Sequence, residues 1–315
     1  MNGTIKHHFE LLIACVIYGT VGIFMKWLGD MSVGSIIFYR ILFGLSALLC
    51  CLAITGNLGQ LSLKGKKNYL LLLGLLYVFQ MYSYYSAIRY LGASSAILLL
   101  YTDPIYLTFL APLLLGEKNT QKTIIALFLG LIGVFYVTRP EGGFEHLDFG
   151  SNYVKGVFFG LTGGLFSSGV IISVRYLREE YNGLTQLFWQ SAISLVFLLP
   201  FAISLPGYVL VENLPILMLF GVIITGIGAV FYIRGVAGVS AITGSVLTLL
   251  EPVLCIFFDC TVLGNPIHRG MIIGCLFILA AAVIISLDNV VFLKRLILGK
   301  ETTFVERYFS GTKDF

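Results

Sequence analysis

The ionisable residues Arg40, Asp103 and Glu251 stand within long apolar stretches of this sequence, where a charge is costly. The guanidinium group of Arg40 has the fork geometry that binds a carboxylate or a phosphate. An ion pair between two helices, or a hydrogen bond to a backbone carbonyl freed by a helix break, would also account for an arginine at this position. Asp103 and Glu251 directly precede Pro104 and Pro252, and proline bends a helix and frees a carbonyl group. Either carboxyl group could bind a substrate amine, carry a proton, or hold the bend through a hydrogen bond.

A second set of polar residues recurs at helical spacing. Tyr77, Gln80 and Tyr84 are separated by three and four residues, so a helix places them on one face. Facing lipid would leave these groups without hydrogen-bond partners, whereas a cavity wall would let them contact a polar substrate. Further candidates for this wall are Tyr101, Trp189 and Gln190. The whole set predicts substrate binding and no catalysis.

Motifs for covalent or metal-assisted catalysis are absent from the sequence. There is no Gly-x-Ser-x-Gly and no His-Glu-x-x-His. The six cysteines lie in apolar stretches without the spacing of a zinc site. We predict no catalytic residue, no metal and no cofactor, and we expect Asp259, near the end of an apolar stretch, to be solvated.

The elements that must position these residues are membrane-spanning helices. Only 11% of the 315 residues are charged and 58% are hydrophobic, whereas a soluble domain has about 25% charged residues. This composition excludes both a water-soluble globular fold and a disordered chain. The apolar stretches are continuous, without the alternation of a β-barrel strand. The sequence therefore predicts an all-α integral membrane protein surrounded by a lipid bilayer.

A bilayer-spanning helix needs about 20 mostly apolar residues, and the sequence predicts ten such spans. Their bounds are 10–28, 33–54, 69–88, 93–115, 121–138, 155–177, 184–204, 213–233, 239–260 and 268–287. With the N-terminus in the cytoplasm, 14 Lys and Arg residues lie on the inner side and 5 on the outer side. We predict a multi-pass protein of the plasma membrane with both termini cytoplasmic. The net charge of +4 follows from this bias and does not indicate nucleic-acid binding.

The sequence also contains an internal repeat. A shift of 148 residues aligns the segment 84–117 with 232–265 without a gap. The shift pairs Asp103 with Glu251 and Pro104 with Pro252. A shift of 150 residues aligns Phe38-Tyr39-Arg40 with Phe188-Trp189-Gln190. Each half therefore has five spans.

Because five is odd, the second half must enter the membrane inverted relative to the first. Inverted repeats place a substrate site near the bilayer midplane and support alternating access. We predict a first five-helix repeat at 1–140, an outside linker at 141–154, a second repeat at 155–290 and a basic cytoplasmic tail at 291–315.

Small residues recur every four positions on the sixth span, at Gly156, Gly160, Gly164 and Ser168. Gly270 and Gly274 repeat the spacing on the tenth span. Such stripes let helices approach closely, so we expect close helix contacts there.

The paired segments SYYSAIRYLGASSAILLLYTDPIYLTFLAPLLLGE and FYIRGVAGVSAITGSVLTLLEPVLCIFFDCTVLGN resemble the signature of the drug/metabolite transporter (DMT) superfamily, in its EamA-type branch. The resemblance extends from about residue 10 to 287 and includes Arg40, Leu115-Gly116-Glu117 and Glu251-Pro252. It implies ten helices and secondary transport, often export of metabolites or amino acids. The second repeat ends in Leu263-Gly264-Asn265, where the family commonly has a glutamate.

The expected function is secondary transport, by export or exchange, of a small polar metabolite. An amino acid or a related zwitterion is the first candidate, with its carboxylate near Arg40 and its amine near Asp103 or Glu251. Tyr77, Gln80 and Tyr84 would surround its side chain, and transport could be coupled to protons. Sugars, nucleotides or organic cations are alternative substrates. A non-transporting scaffold or an intramembrane enzyme represents another class.

Overall fold

The computed structural model describes residues 3–115, 121–137, 151–238, 247–248 and 250–297, and no β-strand occurs among them. Six helices of these residues are long and apolar enough to cross a membrane. They are Lys6–Trp27, Val33–Ile54, Lys67–Leu91, Asn152–Leu177, Gly183–Ile203 and Gly207–Gly235. An additional apolar segment, Arg269–Ala281, forms the first part of a longer helix that continues to Ile297. The all-helical membrane fold is confirmed, and the total of ten spans stays a prediction.

The helices follow one another through short connections. They are α1 (Gly3–Gly19), α2 (Val21–Trp27), α3 (Val33–Ile54), α4 (Lys67–Leu91), α5 (Ala93–Leu100), α6 (Asp103–Leu115), α7 (Gln121–Val137), α8 (Asn152–Leu177), α9 (Gly183–Ile203), α10 (Gly207–Phe220), α11 (Ala229–Gly238), α12 (Leu250–Thr261) and α13 (Arg269–Ile297). A 3-10 helix at Leu58–Leu61 lies between α3 and α4, and a π-helix at Gly221–Gly228 joins α10 to α11.

Two of the predicted spans are broken in their middle. Between α1 and α2, the Thr20 hydroxyl donates to the Ile17 carbonyl at 2.6 Å. Between α5 and α6, the backbone leaves the helix at Tyr101 and Thr102 and resumes at Asp103. Pro104 therefore stands in the first turn of α6, where its missing N–H costs little.

The turn that precedes α3 recurs 150 residues later, before α9. The Ser32 side chain caps α3 by accepting from the Ser35 N–H at 3.2 Å. The Asn182 side chain caps α9 by accepting from the Thr185 N–H at 2.8 Å. A polar N-cap at the same offset supports the internal repeat at the level of local structure.

The glycine stripe of α8 packs directly against α5 and its neighbours. A Cβ atom at Gly160 would lie 2.5 Å from Leu99 Cδ1, and one at Gly164 would lie 2.5 Å from Thr102 Oγ1. A Cβ atom at Gly270 of α13 would lie 2.8 Å from the Tyr136 carbonyl of α7. The expected close contacts are therefore present on both helices.

The loop between α3 and α4 is fastened to the second half of the chain. The Tyr181 hydroxyl donates to the Gly65 carbonyl at 2.6 Å, and the Thr185 hydroxyl donates to the Gln60 carbonyl at 2.7 Å. Lys66 forms an ion pair with Glu180 at 3.6 Å. These contacts hold one end of the bundle together across the two halves.

Several predicted segments fall outside the described residues. These are most of the 141–154 linker, the Gly116-Glu117 pair, residues 239–246 and 249 of the ninth predicted span, and the tail from 298 onward. Helix α13 continues to Ile297, past the predicted end of the last span at 287. Glycine and proline are absent between Cys275 and Leu298, so no residue there breaks the helix. The division into repeats at 1–140 and 155–290 stays a prediction.

Candidate functional site

Arg40 lies on α3 in the interior of the bundle, with 3% of its surface exposed. One terminal nitrogen, Nη2, donates to the Tyr77 hydroxyl at 3.4 Å and approaches the Met81 sulfur at 3.4 Å. Both partners come from α4; the distance to the Tyr77 oxygen is long for a hydrogen bond, and a thioether sulfur is a weak acceptor. Two weak contacts therefore hold this end of the guanidinium group.

Aromatic rings cover much of the rest of the Arg40 guanidinium group. Its central carbon lies 5.3 Å from the ring centroid of Tyr85 and 5.7 Å from that of Phe220. These cation–π contacts stabilise the charge without using its N–H groups. The Nε atom is buried and has no hydrogen-bond partner, and no carboxylate of the described residues lies within ion-pair distance of Arg40.

Glycines allow the π-helix to reach α3 beside Arg40. A Cβ atom at Gly221 would lie 2.5 Å from the Arg40 carbonyl, and one at Gly44 would lie 2.3 Å from Thr225 Cβ. A π-helix is rare and often marks a functional site. This π-helix contains Thr225 and Gly228, which the 148-residue shift aligns with Tyr77 and Gln80 of the first half. The Thr225 hydroxyl is buried without a hydrogen-bond partner.

Glu251 lies in the first turn of α12 and is reached by a tyrosine of the opposite half. The Tyr101 hydroxyl lies 3.2 Å from Glu251 Oε2 and 3.0 Å from the Thr248 carbonyl. Tyr101 occupies the break between α5 and α6, and Pro252 follows Glu251 in the same first turn. The broken helix of the first half thus meets the start of α12.

Tyr18 of α1 connects the surroundings of Arg40 with those of Glu251. The Tyr18 hydroxyl group is close enough to Arg40 and to Glu251 to interact electrostatically with both. Its ring lies 5.9 Å from that of Tyr232 on α11, measured between centroids. The side chains of Tyr18, Tyr77, Tyr101 and Glu251 all remain partly accessible. The structure therefore brings together a cation, a carboxylate and several phenols.

Asp103 contacts a different helix. Its Oδ2 atom accepts a hydrogen bond from the Ser167 hydroxyl of α8 at 3.1 Å. Its charge also acts on Glu251 and Tyr101, so the two acids are near each other.

Gln80 and Tyr84 lie on the same α4 helix as Tyr77. The Gln80 Oε1 atom is buried without a hydrogen-bond partner, so an acceptor is free there. Tyr84 is 6% exposed and lies near Glu251 and Cys255. The polar face of α4 therefore extends from the Arg40 side towards α12.

Trp189 and Gln190 lie on α9, and their contacts are with groups other than Arg40 and Glu251. The Trp189 indole nitrogen donates to the Leu61 carbonyl of the α3–α4 loop at 3.0 Å. The Gln190 carbonyl accepts from the Ser194 hydroxyl at 2.6 Å. Trp189 packs with Leu70, Leu73 and Tyr181.

Asp259 is buried, with 5% of its surface exposed, although the sequence favoured a solvated position. Its Oδ2 atom accepts from the Ser94 backbone N–H at 3.0 Å and also from the Ser94 hydroxyl. Its Oδ1 atom accepts from the Asn265 amide at 2.7 Å. The carboxyl group thus caps α5, and the expectation was wrong because hydropathy does not reveal a cap from a distant helix.

The sequence did not identify Phe220, Met81 or Tyr18 as neighbours of the charged residues. In an apolar sequence, the aromatic and methionine residues that face a site are of the same types as those that face lipid. The repeat gave one sequence signal for these neighbours, because the 148-residue shift aligned Tyr84 with Tyr232, whose ring lies beside that of Tyr18. No group of three or more potential metal ligands occurs in the described part of the chain.

Comparison with known families gives two matches along the chain. Residues 7–139 and residues 154–287 match the model of the EamA-like transporter family. An uncharacterized transporter of Clostridium kluyveri is 26% identical over 288 residues, which cover 89% of this chain and 92% of that protein. Another, of Archaeoglobus fulgidus, is 27% identical over 275 residues, which cover 87% of this chain and 94% of that protein.

More distant similarities agree with these matches. Human solute carrier family 35 member G1 is 21% identical over 193 residues, which cover 60% of this chain and 53% of that protein. A solved crystal structure superposes with a TM-score of 0.60 at 18% identity, covering 90% of this chain and 96% of the other. At this identity the superposition shows a likeness of fold alone.

Proposed function

The chain belongs to the EamA-like transporter family, and from this premise we propose that it carries a small polar metabolite across the plasma membrane by alternating access. The resemblance noted in the sequence is confirmed. The protein is a multi-pass membrane transporter and not an enzyme. Secondary transport in the direction of export or exchange, with both termini in the cytoplasm, belongs to the proposal.

An amino acid or a related zwitterion is the substrate that we propose first. One observation carries it: Arg40 is 3% exposed, has a buried Nε atom without a hydrogen-bond partner, and lacks a carboxylate partner within the described residues. A buried guanidinium group without a counter-charge is costly in the membrane. A substrate carboxylate that accepts two parallel N–H bonds would compensate that cost.

The opposite end of the proposed site suits an ammonium group. Glu251 accepts from the Tyr101 hydroxyl, and Tyr18 lies near both Glu251 and Arg40. A zwitterion would place its two charges against two protein groups of opposite sign. Tyr77, Gln80 and Tyr84 would contact the remainder of the substrate. Sugars offer no charge for Arg40, and organic cations would be repelled by it.

A ligand-stabilisation screen on the purified protein tests this assignment. The panel holds amino acids, sugars, nucleotides and organic cations, each with wild type, Arg40→Gln and the matched control Arg89→Gln. Arg89 is an arginine of α4 that donates to the Gly29 and Met31 carbonyls. A ligand at about a hundred times its Kd stabilises the folded state by about 2.7 kcal/mol.

The proposal expects amino acids to raise the melting temperature of wild type and Arg89→Gln but not that of Arg40→Gln. Stabilisation by sugars or cations alone would contradict the zwitterion assignment. If amino acids stabilised Arg40→Gln as much as wild type, Arg40 would not bind the substrate and its role would be structural. Gel filtration of each variant confirms that it is folded.

A further inference from the structure

Helix α8 faces a cluster of oxygen atoms at the break between α5 and α6. A Cβ atom at Gly164 would lie 3.1 Å from the Leu99 carbonyl oxygen and 3.2 Å from that of Leu100. One turn further along α8, the Ser167 hydroxyl donates to Asp103 Oδ2 at 3.1 Å. Oxygens of the break and a carboxylate therefore face the same side of α8, where a glycine leaves room for them.

The Leu100 carbonyl in this cluster has lost its helical partner. In an unbroken helix it would accept from the backbone N–H of residue 104, but Pro104 has none. The Leu99 carbonyl is occupied, because it accepts from the Thr102 backbone N–H at 3.2 Å and from the Thr102 hydroxyl at 2.6 Å. The C-terminal end of α5, which is the negative end of its dipole, thus directs a freed carbonyl towards α8.

Gln80 of α4 supplies another oxygen at the level of Ser167. The Ser83 Cβ atom of α4 would lie 3.7 Å from a Cβ at Gly163 of α8. Gln80 stands one turn before Ser83. Because α4 and α8 are antiparallel, it faces the residue one turn after Gly163, which is Ser167. The Gln80 Oε1 atom is buried without a hydrogen-bond partner, so it can accept from a ligand.

The charge of Asp103 is not balanced by a basic side chain. No ion pair among the described residues involves it, and an ionised carboxylate within a membrane is costly without a positive partner. The nearby Glu251 is matched by the substrate ammonium group in the proposed function. One carboxylate among neutral oxygens balances a single positive charge, whereas a divalent ion would leave an excess. The cluster therefore fits a monovalent cation.

We propose that this oxygen cluster between α4, α8 and the α5–α6 break is a sodium site. Its ligands are the side-chain oxygens of Asp103, Ser167 and Gln80 and the carbonyl oxygen of Leu100. Freed carbonyls and the C-terminal ends of half-helices coordinate Na⁺ in other transporters with broken helices. A hard cation takes carboxylate, carbonyl and hydroxyl oxygens, so the site needs no histidine or cysteine. Gln80 binds the ion through Oε1 and keeps its amide NH2 group for the substrate.

Tyr101 connects the sodium site with the transport site. It stands between Leu100 and Asp103, and its hydroxyl lies 3.2 Å from Glu251 Oε2. An ion that fixes the break also fixes Tyr101, so Na⁺ should strengthen substrate binding, and substrate should strengthen Na⁺ binding by the same factor. This consequence rests on the proposed function, whereas the sodium site itself does not.

Thermal stability in matched salts tests the sodium site on the purified protein. Wild type is unfolded in NaCl, KCl or choline chloride at equal ionic strength, in a mildly alkaline buffer that favours the ionised carboxylate. We expect a saturable rise of the melting temperature in NaCl alone, because an ion that binds only the folded state stabilises it by mass action. Calorimetry measures the Kd for Na⁺, and then the Kd for amino acids with and without Na⁺.

Two pairs of variants locate the ion. Asp103→Asn should lose the response to Na⁺, whereas Glu10→Gln, which removes a buried acid of α1 outside the cluster, should keep it. Ser167→Ala should bind Na⁺ about tenfold more weakly, because it removes one ligand. Its neighbour Ser168→Ala should bind Na⁺ as wild type does, because the Ser168 hydroxyl donates to the Leu165 carbonyl of its own helix.

Equal stabilisation by KCl or choline chloride would overturn the sodium site, as would a full Na⁺ response in Asp103→Asn. An equal Kd for Na⁺ in Ser167→Ala and Ser168→Ala would also overturn it, and this pair decides if Asp103→Asn does not fold. Na⁺ binding without amino-acid binding would support the site and contradict the proposed function. Amino-acid binding without any response to Na⁺ would overturn the site and leave the proposed function intact.

Discussion

At the scale of single residues, the environment of Arg40 limits what it can bind. The rings of Tyr85 and Phe220 lie within 6 Å of its central carbon, and ring contacts cover a guanidinium group without using its N–H groups. A ligand therefore binds through those N–H groups, in the plane of the fork. A carboxylate can accept two parallel N–H bonds in that plane. The ammonium group of a lysine could not donate this pair of bonds.

Replacing Arg40 by lysine should weaken the binding of amino acids and leave the binding of their carboxamide derivatives unchanged. The charge stays, but the fork is lost, so we expect about a tenfold weaker Kd, or about 1.4 kcal/mol. Calorimetry with an amino acid and with its carboxamide, which lacks the carboxylate, measures the difference. An equal loss for both ligands would show that Arg40 does not contact the carboxylate.

A residue type that is rare in membranes is the easiest to single out from the sequence. Arg40 and Tyr77 were both singled out, and the structure joins them through the Nη2 hydrogen bond. Phe220 was not, because phenylalanine is as common on lipid-facing surfaces as in a site. Trp189 was a further candidate for the cavity wall, but its indole N–H donates to the Leu61 carbonyl.

At the scale of elements, the contact between α3 and the π-helix positions Arg40. Gly221 and Gly44 bring the two backbones together, so that a Cβ at Gly221 would lie 2.9 Å from the Gly44 nitrogen. A π-helix adds a residue to a turn and re-aims the side chains around it. Phe220 stands directly before this segment and reaches the Arg40 guanidinium group.

Gly221→Ala should therefore disturb the site, whereas Gly226→Ala should not. The new methyl group at Gly221 would lie 2.5 Å from the Arg40 carbonyl, but at Gly226 its nearest neighbour is Ala47 Cβ at 3.6 Å. We expect a cost of about 1–3 kcal/mol and weaker substrate binding for the first variant alone. Thermal unfolding and binding of both variants measure this. Similar values for the pair would refute the close approach.

Continuous hydropathy predicts where helices lie but not where they break. The bounds of α3 agree with the predicted span at 33–54, because a long apolar run in lipid has few alternatives to a helix. The break at Thr20 and the π-helix at Gly221–Gly228 were not predicted. Both depend on packing by helices distant in sequence, such as α12 against Gly19 and α3 against Gly221.

At the scale of the whole molecule, the proposed alternating access requires two halves of opposite orientation. The family model matches twice, at residues 7–139 and 154–287, and the N-caps at Ser32 and Asn182 recur at the repeat offset. The Tyr101–Glu251 contact and the Tyr181–Gly65 contact both join one half to the other. Alternating access needs such contacts to form and break as the halves move.

Cysteines introduced at Gly59 and Gly207 test the inversion. The two positions are related by the 148-residue shift, are exposed, and have open space where a Cβ would be. In a background without the six native cysteines, a membrane-impermeant maleimide added to intact cells should label Gly207→Cys and not Gly59→Cys. Permeabilised cells should allow labelling of both. Labelling of both in intact cells would end the inverted-repeat model.

The central claim is that the protein transports an amino acid bound at Arg40, and uptake into proteoliposomes tests it most directly. Wild type, Arg40→Gln and Arg89→Gln are reconstituted at equal density, preloaded with unlabelled amino acids and supplied with labelled ones. We predict saturable exchange by wild type and Arg89→Gln, and at least a tenfold lower rate for Arg40→Gln, which corresponds to about 1.4 kcal/mol or more. No amino-acid exchange by wild type, or equal exchange by Arg40→Gln, would contradict the account.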